Sequence, residues 1–351
     1  MLRFFRSVQR LVLFVGVLAC RCATTNGRSE RQPAFVDPPE AVMLKVRPVL
    51  ALTVLLAVGC SSIQRLAVNQ VGDALAKQGE VFASDDDPEL IGESIPFSLK
   101  LIESLLARSP RHPGLLLAAT SGFTQYAFGW IAESAVEIEK DDPVKAAHQQ
   151  ERAQHLYLRG RNYGLRGLEV AHPGFESALR SDPPSAVRVL VRGDVPLVYW
   201  TAASWGLAIS LAKDQPDVVA DLPIVEAMID RALELDESFD SGAIHSFLIA
   251  YELNRQGAEG DPVARSRKHF ERAVELSGGM LAAPYVTFAE SVSVQTQNRA
   301  EFKSLLSQAL AINPDSKPQW RLENRISQKH AQWLLGHVDD LFLAESEGDK
   351  K

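Results

Sequence analysis

The chain has 351 residues, 37 Lys/Arg against 44 Asp/Glu, 46% hydrophobic residues and three cysteines. A formal net charge of −7 leaves no basic footprint for nucleic acid. The cysteines are Cys20, Cys22 and Cys60, so everything beyond residue 60 lacks both a disulfide framework and a nucleophilic thiol.

Two apolar runs open the chain. The first, at 11–20, follows Arg3, Arg6 and Arg10 and ends in Cys20. The second, at 49–58, follows Lys45 and Arg47 and leads into Gly59-Cys60-Ser61-Ser62. A basic stretch, an apolar stretch of about ten residues and small residues before a cut describe a secretory signal; a membrane span needs about 20. A cysteine directly after the small residues is the bacterial lipoprotein arrangement, so Cys60 is the expected lipidation site. Ala57 stands where leucine is commoner, and the bland alternative is a plain secretory signal with a chance cysteine. Cleavage at Cys20 would strand an apolar segment in the mature chain. Met43 therefore fits as the start, with 1–42 an upstream extension and 43–59 the signal peptide.

Removing 1–59 takes away eight basic and three acidic residues, which leaves 29 against 41, a net of −12. Attachment to an anionic bilayer then rests on the acyl chains of Cys60, two or three of which hold stably where one does not. Ser61, rather than aspartate, after the lipidated residue favours the inner leaflet of the outer membrane. Residues 60–85 form the expected tether and first helix, 86–343 the folded body and 344–351 a polar tail.

The body reads as all-α. Leu99, Ile102, Leu105 and Leu106 make one helical stripe; Ile224, Met228, Ile229, Ala232, Leu233 and Leu235 make another. Pro and Gly mark the joints, including Asp142-Pro143, Asp182-Pro183, Asp261-Pro262, Gly278-Gly279 and Asn313-Pro314. Aspartate followed by proline is a strong helix start, because the carboxylate accepts from open N–H groups and proline has none to lose. Arg231-Ala232-Leu233-Glu234-Leu235 is echoed by Arg272-Ala273-Val274-Glu275-Leu276 and by Gln308-Ala309-Leu310-Ala311-Ile312. These echoes predict an irregular tetratricopeptide-like (TPR-like) helical-repeat solenoid, in which small alanines let helices approach closely.

Two segments are unusually aromatic, 122–131 and 194–209. The second is apolar on nearly every face and so predicts a helix buried all round, with the first as a candidate partner. Tyr126, Trp130, Tyr199, Trp200 and Trp205 either fill the core of a large helical domain or line a ligand pocket. In the pocket reading, Thr124, Gln125, Thr201 and Ser204 supply polar contacts.

Catalytic sets are scarce. The chain has no G-x-S-x-G elbow, H-E-x-x-H, Walker loop or G-x-G-x-x-G. His148 and His155 sit two helical turns apart, too far for one metal ion without further ligands. Asp85-Asp86-Asp87 before Pro88 reads as a helix cap rather than a calcium loop. His245, in an apolar segment, reads as a satisfied buried histidine. No enzyme activity, cofactor or metal is expected.

Several of these segments, taken together, carry a family resemblance. They are 194–200 with Trp205-Gly206, then Ser241-Gly242-Ala243, then Gly260-Asp261-Pro262 leading to Arg267-Lys268-His269-Phe270. The series closes with Arg321-Leu322-Glu323-Asn324 and Asp339-Asp340-Leu341-Phe342. In this order, after a lipoprotein signal, they resemble the T component associated with tripartite ATP-independent periplasmic (TRAP) transporters. The likeness covers most of 60–343; Glu259 departs from it where a second glycine is expected. The resemblance implies a periplasmic lipoprotein of TPR-like helices that docks the transporter's solute-binding protein. It also implies a homo-oligomer, a trimer, with ligand-accessible pores, and it supplies no catalytic residues. A TPR-like scaffold lipoprotein that binds no solute is the alternative.

Overall fold

A computed structural model describes residues 70, 72–74, 79–212, 215–255 and 257–343. The signal, Cys60 and the polar tail lie outside them. The described residues are helical and contain no strand, as the hydrophobic periodicity predicts.

The joints form as their chemistry requires. Asp87 accepts from the amides of Glu89 and Leu90 at the start of α1 (Pro88–Leu106). Asp142 accepts from Lys145 at the start of α3 (Pro143–Ala171). His112 does the same through Nδ1 for α2 (Pro113–Tyr126). The second aromatic segment is α4 (Val195–Ser210), followed by α5 (Leu222–Leu235) and α6 (Ala243–Tyr251). Asp261 caps α7 (Pro262–Ser277), which Gly278 and Gly279 end with left-handed φ of 63° and 71°. The last helices are α8 (Ala283–Phe288), α9 (Arg299–Ala311) and α10 (Arg321–Gly336). Two helices widen into π turns: α2 into Ala127–Ala132 before Glu133–Ile138, and α8 into Ala289–Ser293.

Consecutive helices pack on one another, and α2, α6 and α8 also touch the helix after next. Three apolar clusters follow in chain order, built on α1–α3, on α3–α6 and on α6–α10. The repeat alanines Ala232, Ala273 and Ala309 are each fully buried, and Arg231 and Arg272 each pair with a glutamate three residues on. Between α6 and α7, the buried carboxylate of Glu252 receives Arg255 at 2.8 Å and Arg265 at 2.6 Å.

Helix α4 is buried nearly all round, as its composition predicts. Its closest neighbour is α3, although α2 also touches it. A Cβ on Gly164 would stand 2.0 Å from Thr201 Oγ1, and one on Gly160 would stand 2.7 Å from Ser204 Oγ. The glycines therefore let the two backbones meet, and the hydroxyls belong to that seam. Ser204 donates to Tyr157 O at 2.6 Å and Thr201 to Leu197 O at 2.6 Å.

The C-terminal helix returns to the beginning of the array. Leu322 joins the α1–α3 cluster with Ile326 beside it, Arg321 donates to Ser84 O at 2.9 Å, and Lys140 pairs with Asp340 at 3.0 Å.

Candidate ligand site

The predicted aromatic residues separate into three settings. Trp205 has no exposed surface; Arg161 lies over its ring at 4.8 Å and Arg180 at 5.9 Å. Tyr126 and Trp130 stack at 6.2 Å near the end of α2. Trp130 Nε1 donates to Pro88 O at 2.9 Å, and its ring lies on Gly92, where a Cβ would stand 2.3 Å from that nitrogen. These contacts tie α1 to α2. Tyr199 and Trp200 are different. Their rings meet edge to face at 5.0 Å, and Phe239 covers Tyr199 at 5.3 Å. Tyr199 is only 8% exposed, and its hydroxyl has no hydrogen-bond partner among the described residues. Thr124, Thr201 and Ser204 are buried with their hydroxyls bonded to backbone carbonyls, while Gln125 is exposed.

Two acidic residues from distant parts of the chain lie near enough to Tyr199 to oppose its ionisation. Asp240 follows Phe239 in the loop before α6. It and Ser241 hold left-handed φ of 43° and 56°, a strained conformation for residues with side chains. The strain is fixed by Gly242, at φ 97°, where a Cβ would press to 3.2 Å from Ala273 Cα. Glu323 lies in the first turn of α10 between two anchored neighbours. Leu322 is in the α1–α3 core, and Asn324 accepts from Ala282 N at 2.8 Å and donates to Met280 O at 3.0 Å.

Solvent reaches both carboxylates, yet protein surrounds them. Lost hydration, and then the charge of Asp240, push Glu323 up to about 7. Lost hydration also raises Asp240. Tyr199 is raised first by burial and then by both acids. Among the described residues neither carboxylate has an ion pair or hydrogen bond. The result is an aromatic cluster near the surface with two exposed, unpaired acids close by.

A second polar centre binds α10 to both π turns. Buried His330 meets Glu133, just after the first π turn, at 2.8 Å through Nδ1. Its Nε2 meets Glu290, inside the second, at 3.1 Å. Burial opposes the imidazolium, but hydrogen bonds to the two carboxylates outweigh it and hold His330 up at about 10. Trp333 stacks on His330 at 5.9 Å and on His337 at 4.2 Å.

His245 is buried, with its Nδ1 2.8 Å from that of His269; desolvation and then His245 push His269 down to about 4. His148 and His155 are exposed on α3. Among the described residues no three His, Cys, Asp or Glu side chains are placed to hold a metal, and no helix is long and apolar enough to cross a membrane.

The family model of the TRAP transporter T-component matches residues 84–342. The chain belongs to that family. An uncharacterized protein of Treponema pallidum (strain Nichols) is 31% identical over 307 residues, covering 82% of this chain and 95% of the relative. The matched region contains the Tyr199 aromatic cluster and the His330 bridge. The T-component is an accessory part of a TRAP transporter.

Proposed function

We propose that this T-component is a periplasmic accessory protein, lipid-anchored through Cys60 to the inner leaflet of the outer membrane. It docks the transporter's solute-binding protein and holds a small solute at the Tyr199 aromatic cluster. Family membership supports the transporter role. The observation that carries the solute reading is the aromatic cluster of Tyr199, Trp200 and Phe239, in which buried Tyr199 lies near the exposed acids Asp240 and Glu323. Apolar and aromatic side chains with a few polar groups beside them are typical of ligand sites. Trp200 and Phe239 complete that cluster, Trp205 holds its helix against α3, and Tyr126 and Trp130 tie α1 to α2. The helical array itself is a TPR-like solenoid in this reading, supported by the buried alanines of the three echoes.

The closely packed seam of α3 and α4, with Trp205 wholly enclosed, favours a second reading, a scaffold that binds no solute. Native mass spectrometry of detergent-extracted protein from its host separates the two. The first reading expects an acylated chain starting at Cys60, a retained small molecule and co-purified solute-binding protein, and it reports the oligomer, a trimer by family resemblance. A ligand-free protein that captures only envelope assembly partners would support the scaffold and overturn solute binding.

A further inference from the structure

We propose that an open cleft between the end of α5 and the start of α6 binds a neutral polyhydroxylated molecule of about monosaccharide size. The cleft measures about 460 Å³, inside the range of about 300–1,000 Å³ usual for small-molecule sites. Its lining comes from the last turn of α5, the turn after it, His245 of α6 and Arg192, which precedes α4. None of these residues belongs to the Tyr199 cluster, so the proposal stands apart from the solute reading above.

One buried atom points to a ligand. His245 is 6% exposed, and its Nε2 has no hydrogen-bond partner among the described residues. The carboxylate of Glu237 stands 3.7 Å away, beyond hydrogen-bond reach. The other ring nitrogen is used: Nδ1 lies 2.8 Å from Nδ1 of His269, so one proton sits between the two rings. Burial lowers both histidines, His269 to about 4, and both rings are neutral at neutral pH. Glu237 then selects the tautomer. An Nε2 lone pair would face a carboxylate, whereas an Nε2–H faces it favourably. His269 therefore donates to His245, and His245 Nε2 is left as a buried donor without an acceptor. Glu237 is half exposed, and a small outward turn of its side chain admits an atom between the two groups. A hydroxyl suits that place, because it accepts from the imidazole N–H and donates to the carboxylate. Neither an ammonium nor a carboxylate does both.

The charges of the lining argue for a neutral molecule. Asp236 pairs with Arg192 at 3.1 Å, Glu237 with Arg272 at 2.5 Å and Glu234 with Arg231 at 3.0 Å. Each acid has its own guanidinium, so a charged guest would either break a pair or sit uncompensated. Neutral hydroxyls share such groups without disturbing the balance. Leu233 and Leu235 add apolar surface for the C–H face of a ring. No group of three His, Cys, Asp or Glu side chains among the described residues could hold a metal ion there instead.

Isothermal titration of the full chain in detergent tests this, with glucose and myo-inositol as probes. Gluconate and glucosamine serve as anionic and cationic controls. The expected result is saturable binding of glucose or myo-inositol, with both charged controls weaker. Glu237→Ala and His245→Phe should each weaken binding by about tenfold or more. Glu237 is half exposed, so its variant keeps the melting temperature of the unsubstituted protein and carries the test if His245→Phe fails to fold. Nitrogen-15 NMR of histidine-labelled protein supplies a second readout: His245 Nε2 should report as N–H and shift when the sugar is added. No saturable heat from either neutral probe, undiminished binding by the Glu237→Ala protein, or preference for a charged control would overturn the proposal. So would a His245 Nε2 that lacks its proton.

Discussion

At the scale of single residues, charge sets the behaviour of the two polar centres. His330 is protonated between Glu133 and Glu290, with its folded value near 10 against about 6.5 in an unfolded chain. A group raised in this way contributes stability that is complete below the unfolded value and is lost as pH rises through the folded one. The melting temperature should therefore fall between about pH 6.5 and pH 10, and His330→Gln should flatten that slope while lowering stability at neutral pH. Thermal melts of both proteins across this range check it; parallel curves would remove His330 as the source. None of this was legible in the sequence. His330, Glu133 and Glu290 are separated by long stretches and share no motif, and only the fold brings them together. Asp240 and Glu323 stand beside or within segments that carry the family resemblance, Ser241-Gly242-Ala243 and 321–324, yet their approach to Tyr199 joins segments far apart in the sequence. Periodicity and capping are local signals and cannot report it.

Among the helices, the contact of α3 with α4 is the most exacting. Gly160 and Gly164 have no room for a methyl group against Ser204 and Thr201. Gly164→Ala should cost about 1–3 kcal/mol through overpacking, measured by chemical denaturation, even though alanine is the better helix former. Trp205, enclosed on the same helix, should cost about 3–5 kcal/mol when replaced by alanine, with binding by the folded fraction unchanged. A selective binding loss in a stable Trp205→Ala protein would return that residue to the ligand site. The helices themselves were readable, because Asp-Pro starts, Gly-Gly ends and apolar stripes act within a few residues. The core-or-pocket ambiguity of the aromatics was not. Composition shows that α4 avoids water, while the glycine spacing of its neighbour decides which of its faces is sealed.

For the whole molecule, the expected arrangement is a folded acidic body held at a membrane by its N-terminal cysteine. Replacing Cys60 with Ser should move the protein from the membrane fraction to the soluble one without changing the melting temperature of the body, since the Tyr199 cluster and the His330 bridge lie far along the chain from residue 60. Fractionation and melting of the same preparation measure both. Membrane retention of the Ser variant would place the attachment elsewhere. The exposed Leu90, Phe97 and Leu101 of α1 and the exposed Val189 and Val191 before α4 are apolar points on the body's outer surface. They bear on solubility once the tether is gone.

The return of α10 to α1 and α2 has a kinetic consequence. In an open array each unit leans only on its neighbours, so the first units to emerge from synthesis or export can settle at once. Here Leu322 and His330 complete contacts begun more than 190 residues earlier, at Glu133 and before. The earliest helices must wait, partly unsupported, for the last. Closing so large a loop costs entropy before it returns any contact. A chain halted short of its final helices would thus be left with exposed apolar surface at its front, well placed for a periplasmic protease to remove.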